Sequence, residues 1–155
     1  MGAIVEVEHD KHKGEVMAVV TQSISLQTQG RGDTLDVTNQ LAGCVQSSGL
    51  TSGTVTVFCP GSTGGVTTIE FEPGVVHDLK QVFDEIAPPD RDYRHHLTWG
   101  DDNGNSHVRS GLLGPSLTVP FVDQALTLGT WQQVVFIDFD TRPRSRSLVV
   151  QLMGE

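Results

Sequence analysis

Cysteine is scarce: Cys44 and Cys59 are the only two in 155 residues, so the chain has no disulfide framework and both are read as free thiols. Positive charge is scarce as well, with ten Lys and Arg against 19 Asp and Glu and a formal net charge of −9. Affinity for nucleic acid rests on accumulated cations that release counterions from phosphates, so nucleic acid is not an expected partner. No run approaches the ~20 apolar residues of a membrane span. The opening MGAIVEVEHDKHKGEV shows neither the apolar stretch nor the basic leader of a secretory signal, and Glu6 stands where a myristoylation pattern needs Ser or Thr. The expectation is a cytoplasmic protein with no membrane partner.

Internal repeats, low-complexity tracts and linkers are also missing. Apolar residues make up 37% of the chain, but they fall into discrete segments, which argues for a folded domain over disorder. A chain of this length holds one core, so residues 1–155 are read as a single domain with 1–16 as a peripheral extension.

Alternation of Ile24 and Leu26 with Ser23, Ser25 and Gln27 predicts a strand over 17–28, followed by a turn at 29–33. The RGD within that turn is read as ordinary turn sequence. Val37, Leu41, Cys44 and Val45 follow helical spacing, and Gly49 suits the left-handed position after a helix end. Strands are predicted over 53–59 and 66–71 on their β-branched content. A helix opens at Pro73, repeats Val76, Leu79, Phe83 and Ile86, and stops at Pro88 and Pro89. Three further short apolar runs, 117–122, 131–139 and 148–152, read as strands. The order predicts an α+β fold with two helices and two packed, mainly antiparallel sheets.

Residues 93–110, YRHHLTWGDDNGNSHVRS, follow neither period and read as a long polar loop, the kind of segment that carries binding and catalytic groups. His95, His96 and His107 are its metal candidates, since imidazole is a common ligand for zinc and other divalent ions. Their spacing is unspecific, and adjacent His95 and His96 cannot both aim where His107 aims. The alternative is histidines that serve as hydrogen-bond or phosphate contacts. Asp101, Asn103 and Asn105 imitate a calcium loop, but the required glycine and the closing Glu are not in register. GSTGG at 61–65 can aim amides and the hydroxyls of Ser62 and Thr63 at an anion; with no Lys after the glycines it is not a nucleotide P-loop. Arg142, Arg144 and Arg146 form a local cationic spot able to meet an oxyanion. Glu70 reads either as charge beside a helix start or as a site carboxylate. Asp78 reads either as solvated helix surface or as a group that orients a histidine or metal.

GSTGGVTTIE, the YRHH and DDNGNSHVRSGLLGPS stretches, LGTWQQ and the closing RSRSLVVQLMGE together resemble the YjbQ-like family, also called secondary thiamine-phosphate synthases. The resemblance runs from about Val20 to the end of the chain. It implies a compact α+β homotrimer with pockets near subunit boundaries, acting on a small phosphorylated metabolite. The implied activity joins a pyrimidine diphosphate to a thiazole phosphate with release of pyrophosphate. Carried onto this chain, the family pattern falls on Ser62 and Thr63, Glu70, Asp78, His95, His107, Thr130 to Gln132, and Arg146. His107, His95, Glu70 and Asp78 are then the catalytic candidates. Ser62, Thr63, Thr130, Gln132 and Arg146 are the substrate or anion contacts, and His95 and His107 would hold a divalent metal, zinc or magnesium. One departure stands out: many members open the Ser62 turn with His, and this chain has Gly61. His96 is the candidate to compensate.

Overall fold

The computed structural model describes residues 17–155, so the extension at 1–16, with His9 and His12, lies outside the described residues. Eight strands form two sheets, and every pairing is antiparallel. The larger sheet has the order β1 (Ala18–Thr28), β8 (Arg144–Gly154), β3 (Gly53–Phe58), β5 (Ser116–Val122) and β6 (Ala125–Leu126). The smaller has β2 (Asp33–Asp36), β7 (Gln133–Asp138) and β4 (Gly64–Ile69).

Alternation along the strands sends one set of side chains between the sheets. Ile24, Leu26, Val55, Val57, Val119, Phe121, Leu148, Val150 and Leu152 of the larger sheet meet Val66, Val134 and Phe136 of the smaller in one continuous core. The first helix, α1 (Thr38–Ser48), joins this core through Leu41, Cys44 and Val45, and Gly49 closes it at φ 76. β7 is buried on both faces. Its other side, Val135 and Ile137 together with Phe139 just beyond the strand, is covered by Leu79 and Phe83 of the second helix, α2 (Pro73–Ile86). That covering explains why 134–137 reads as an unbroken apolar run. Glu72, not Glu70, caps α2, accepting from the amides of Gly74 and Val75.

The fold is α+β as expected, but the described residues hold four helices, not two. The stretch read as a loop folds into α3 (Arg94–Trp99) and α4 (Gly104–Leu113). The reason lies in what α4 buries. Asn105, Ser106, Arg109 and Ser110 face inward while Val108 and Leu112 are exposed, so the helical period is written in polar residues. Ser106 Oγ donates to the Phe139 carbonyl, Ser110 Oγ donates to Gly64, and Arg109 donates to Ala87 and Asp84. These bonds make burial of the polar face tolerable, and they are invisible to a search for apolar periodicity.

Candidate functional site

Between Asp138 and Arg144 the chain crosses from the end of β7 in the smaller sheet to the start of β8 in the larger. The acids of this corner, Asp138 and Asp140, are two residues apart, as are the cations Arg144 and Arg146, so each pair projects to one side. Asp138 is fully buried and accepts four hydrogen bonds: Thr28 Oγ1 at 2.6 Å, Arg146 Nε and Nη2 at 2.7 Å each, and the Asp140 amide at 2.9 Å. Asp140 accepts from Arg144 Nε at 2.8 Å and from the Thr63 hydroxyl at 3.1 Å. Arg146 Nη2 also donates to Thr63 Oγ1 at 2.9 Å. Burial works against ionisation of Asp140, but the Arg144 and Thr63 hydrogen bonds and the charges of Arg144 and Arg146 outweigh it and hold its pKa below the usual carboxylate value. The hydrogen bond to Asp138 is the main cause that raises the Arg146 pKa further, against burial.

With Nε and Nη2 so occupied, Arg146 Nη1 makes no hydrogen bond among the described residues. It faces the Ser62 turn, where a Cβ built on Gly61 would lie 3.4 Å from Nη1 and 3.7 Å from Cys59 Sγ. Burial raises the Cys59 pKa, and the Arg146 charge only partly offsets this, so Cys59 is a neutral thiol beside Gly61.

The histidines arrive from the two new helices. His95 on α3 and His107 on α4 bring their rings to 4.3 Å between centroids. His95 Nε2 is 3.6 Å from Asp101 Oδ1, and Asn103, its amide nitrogen turned toward them, donates at 3.2 Å to both Asp101 oxygens and to His95 Nε2. Burial, and next the neighbouring His95, lower the His107 pKa. Asp101, Asp140 and a bond to the Ser62 carbonyl oppose that only in part. His107 is therefore neutral at pH 7, and a neutral imidazole keeps one ring nitrogen as an acceptor. His96 stands elsewhere: its Nε2 accepts from the Gly104 amide at 3.2 Å and its ring packs edge-on to Tyr93. It does not take the place of the imidazole missing at Gly61.

Ser62, Thr63, His95, His107 and Arg146 thus gather at one end of the β4–β7 ladder. Glu70, Thr130 and Gln132 sit at the other. In the β4–β7 register Gly64 pairs with Asp138 and Ile69 with Gln133, which separates the two ends by about 17 Å at the usual rise per residue. Glu70 and Thr130 are exposed; Gln132 bonds Thr68 and the Gly129 amide. Asp78 lies exposed on α2, and its carboxylate makes no hydrogen bond or ion pair to a histidine among the described residues. Reading the sequence alone placed Arg144 in a cationic spot but missed Asp138 and Asp140, the acids that the arginines bind, although the doublets DFD and RSR carry the two-residue spacing that puts each pair on one side.

Two imidazoles and one nearby carboxylate are the whole donor set here, and among the described residues no three of His, Cys, Asp and Glu converge to hold a metal ion. A catalytic zinc usually takes three protein ligands, so the described residues do not complete such a site. No helix among the described residues is long and apolar enough to cross a membrane.

The model of the UPF0047 protein YjbQ-like family matches residues 22–155. A UPF0047 protein of Methanothermobacter thermautotrophicus is 35% identical over 92% of this chain and 97% of its own length. The UPF0047 protein YugU of Bacillus subtilis is 32% identical, covering 86% and 98%. Among solved structures, a YbjQ-like protein from Sulfolobus solfataricus superposes with a TM-score of 0.85 at 28% identity, over 90% of this chain and all of that one.

Proposed function

Since the chain belongs to the YjbQ-like UPF0047 family, we propose that its Arg146 pocket binds the phosphate of a small metabolite and carries out a group transfer of the thiamine-phosphate synthase type. In that reaction the bond from the pyrimidine's methylene carbon to its diphosphate oxygen breaks, the electron pair leaves with pyrophosphate, and the thiazole nitrogen bonds the carbon. The demand on the protein is stabilisation of the departing negative charge. The observation that carries the proposal is the free Nη1 of Arg146, held by the Asp138 grip and aimed at the Ser62 turn beside a neutral His107. Arg146 and the Ser62 hydroxyl meet the diphosphate oxygens, and His107 offers its lone pair to a substrate N–H or takes a proton. His95, steadied by Asp101 and Asn103, positions His107. A magnesium or zinc ion, which the resemblance implies, would need donors besides His95 and His107, and no step here is routed through one.

A homotrimer belongs to the proposal. Trp131 is 72% exposed beside Gln132, and Leu97 and Trp99 are 83% and 73% exposed on the helix that carries His95. Large apolar side chains left in water beside both halves of the split set support a neighbour's Thr130–Gln132 end covering the His95 helix. Free thiols at Cys44 and Cys59 support a cytoplasmic setting. The test is incubation of the purified protein with the pyrimidine diphosphate and the thiazole phosphate. Product above blank that is lost in His107→Ala is expected, and no product from either protein refutes the synthase reading.

A second reading, a phosphometabolite- or metal-binding homotrimer without this turnover, is favoured by one observation: Glu70 stands at the far end of the β4–β7 ladder from His107. It predicts ligand binding in calorimetry with no product.

A further inference from the structure

On the opposite side of the Asp138–Thr141 corner lies a separate cavity of about 360 Å³, lined by Arg31, Lys80, Asp84, Asn105, Arg109 and Thr141 among others. That volume is within the range of small-metabolite sites. The wall between the two places is thin. Asp140 sends its carboxylate to Arg144 and Thr63, while its carbonyl accepts the Arg31 amide at 2.6 Å. On α4, His107 reaches Ser62 while Asn105 lines the cavity.

Three features say that this cavity is built to be filled. Asn105 is 6% exposed, and its Oδ1 has no hydrogen-bond partner among the described residues. Such a group destabilises the fold unless something supplies a donor. Arg31 is held at φ 57 between Gly30 at φ 72 and Gly32 at φ 85, a conformation that costs a non-glycine residue energy. The amides of Arg31 and Gly32 are tied to the carbonyls of Asp140 and Asp138, and a Cβ on Gly30 would sit 2.5 Å from the Asp140 carbonyl oxygen, so the chain is fixed at this spot. The Arg31 guanidinium bonds the Thr141 carbonyl through Nε alone, which leaves both terminal nitrogens free among the described residues. Last comes charge. Arg31, Lys80 and Arg109 outnumber Asp84 and Asp102 around the cavity, on a chain whose net charge is −9. Arg109 is already paired with Asp84 at 2.7 Å, so Arg31 and Lys80 are the cations open to a ligand.

We infer that this cavity is a second ligand site, distinct from the Arg146 pocket, for a small oxyanion-bearing metabolite that also carries an O–H or N–H donor. The phosphate or carboxylate lies between Arg31 and Lys80, and the donor satisfies Asn105 Oδ1. Because Ser106, between Asn105 and His107, is bonded to Phe139, a ligand here bears on the same turn of helix that presents His107.

The test is amide-resolved NMR titration of the full chain with glycerol 3-phosphate, glycerate and glycerol, in wild type, Lys80→Gln, Arg31→Asn and Asn105→Leu. Saturable shifts at Arg31, Asn105 and Thr141 are expected with one or both anions and not with glycerol. Which anion binds tells a phosphate ligand from a carboxylate one. Lys80→Gln and Arg31→Asn, which keep the fold because both side chains are exposed and Asn tolerates positive φ, weaken binding at least tenfold. Asn105→Leu removes the unpaired amide, so it abolishes binding while melting at or above the wild-type temperature. Absence of saturable shifts, shifts unaffected by these variants, or shifts confined to Ser62 and His107 would overturn the inference; the last result belongs to the Arg146 pocket and leaves that reading standing.

Discussion

Arg146 grips Asp138 through two parallel hydrogen bonds of 2.7 Å, Nε to Oδ2 and Nη2 to Oδ1, at the corner where the two sheets exchange the chain. Only the fork of a guanidinium makes that pair and still has a nitrogen to present to a ligand.

Removing either partner strands a charge. Asp138 is fully buried and Arg146 half-buried, so Arg146→Ala leaves the Asp138 charge unpaired and is expected to cost about 3–5 kcal/mol. Arg146→Lys keeps the charge and a single bond, so it costs less and folds, but it leaves no second nitrogen for an anion. Chemical denaturation of the two variants checks the order.

Acid weakens the fold in two steps. His107 has a folded pKa below its ordinary 6.5, so its contribution is complete above 6.5 and is lost as pH falls through the folded value. Asp140 is also depressed, from 3.8, so its contribution persists to lower pH and is lost as pH falls through its own folded value. NMR titration of the imidazole is expected to give His107 a pKa below 6.5, and His95→Gln to raise it by removing the neighbouring imidazole. A His107 pKa unmoved in that variant contradicts the coupling.

Gly61 has room for a side chain, with its nearest neighbours at ordinary contact distance. Gly61→His adds a third imidazole to His95 and His107. It is expected to raise zinc affinity at least tenfold over wild type in competition with a chelator, with melting nearly unchanged.

The polar inner face of α4 is a structural requirement. Ser110→Ala leaves the Gly64 carbonyl without its 2.7 Å donor in a buried place, and the expected cost is about 1–3 kcal/mol. In a domain of this size each kcal/mol lowers the melting temperature by roughly 2–4 °C. Leu112→Ala on the exposed side of the same helix is expected to have little effect by comparison.

Where apolar side chains write the pattern, the sequence is legible. The strand periods of β1 and β3, the Val37 to Val45 spacing of α1 and the Val76 to Ile86 spacing of α2 all mark elements that bury apolar faces. The pattern failed at α3 and α4, because Ser106, Arg109 and Ser110 are buried through hydrogen bonds to carbonyls from distant parts of the chain. The site was legible in part for a similar reason. Ser62, Thr63, His95, His107 and Arg146 come together as their motifs suggested. Glu70 and Gln132 do not, since a strand's length separates them from the pocket, and order along the chain carries no information about distance across a sheet.

If Arg146 presents a free nitrogen to a phosphate, calorimetric titration of thiamine phosphate into wild type and Arg146→Lys separates the two proteins. Saturable one-site binding is expected in the wild type, with at least a tenfold loss in the folded variant. No saturable heat in the wild type, or equal affinity in the two proteins, would contradict it.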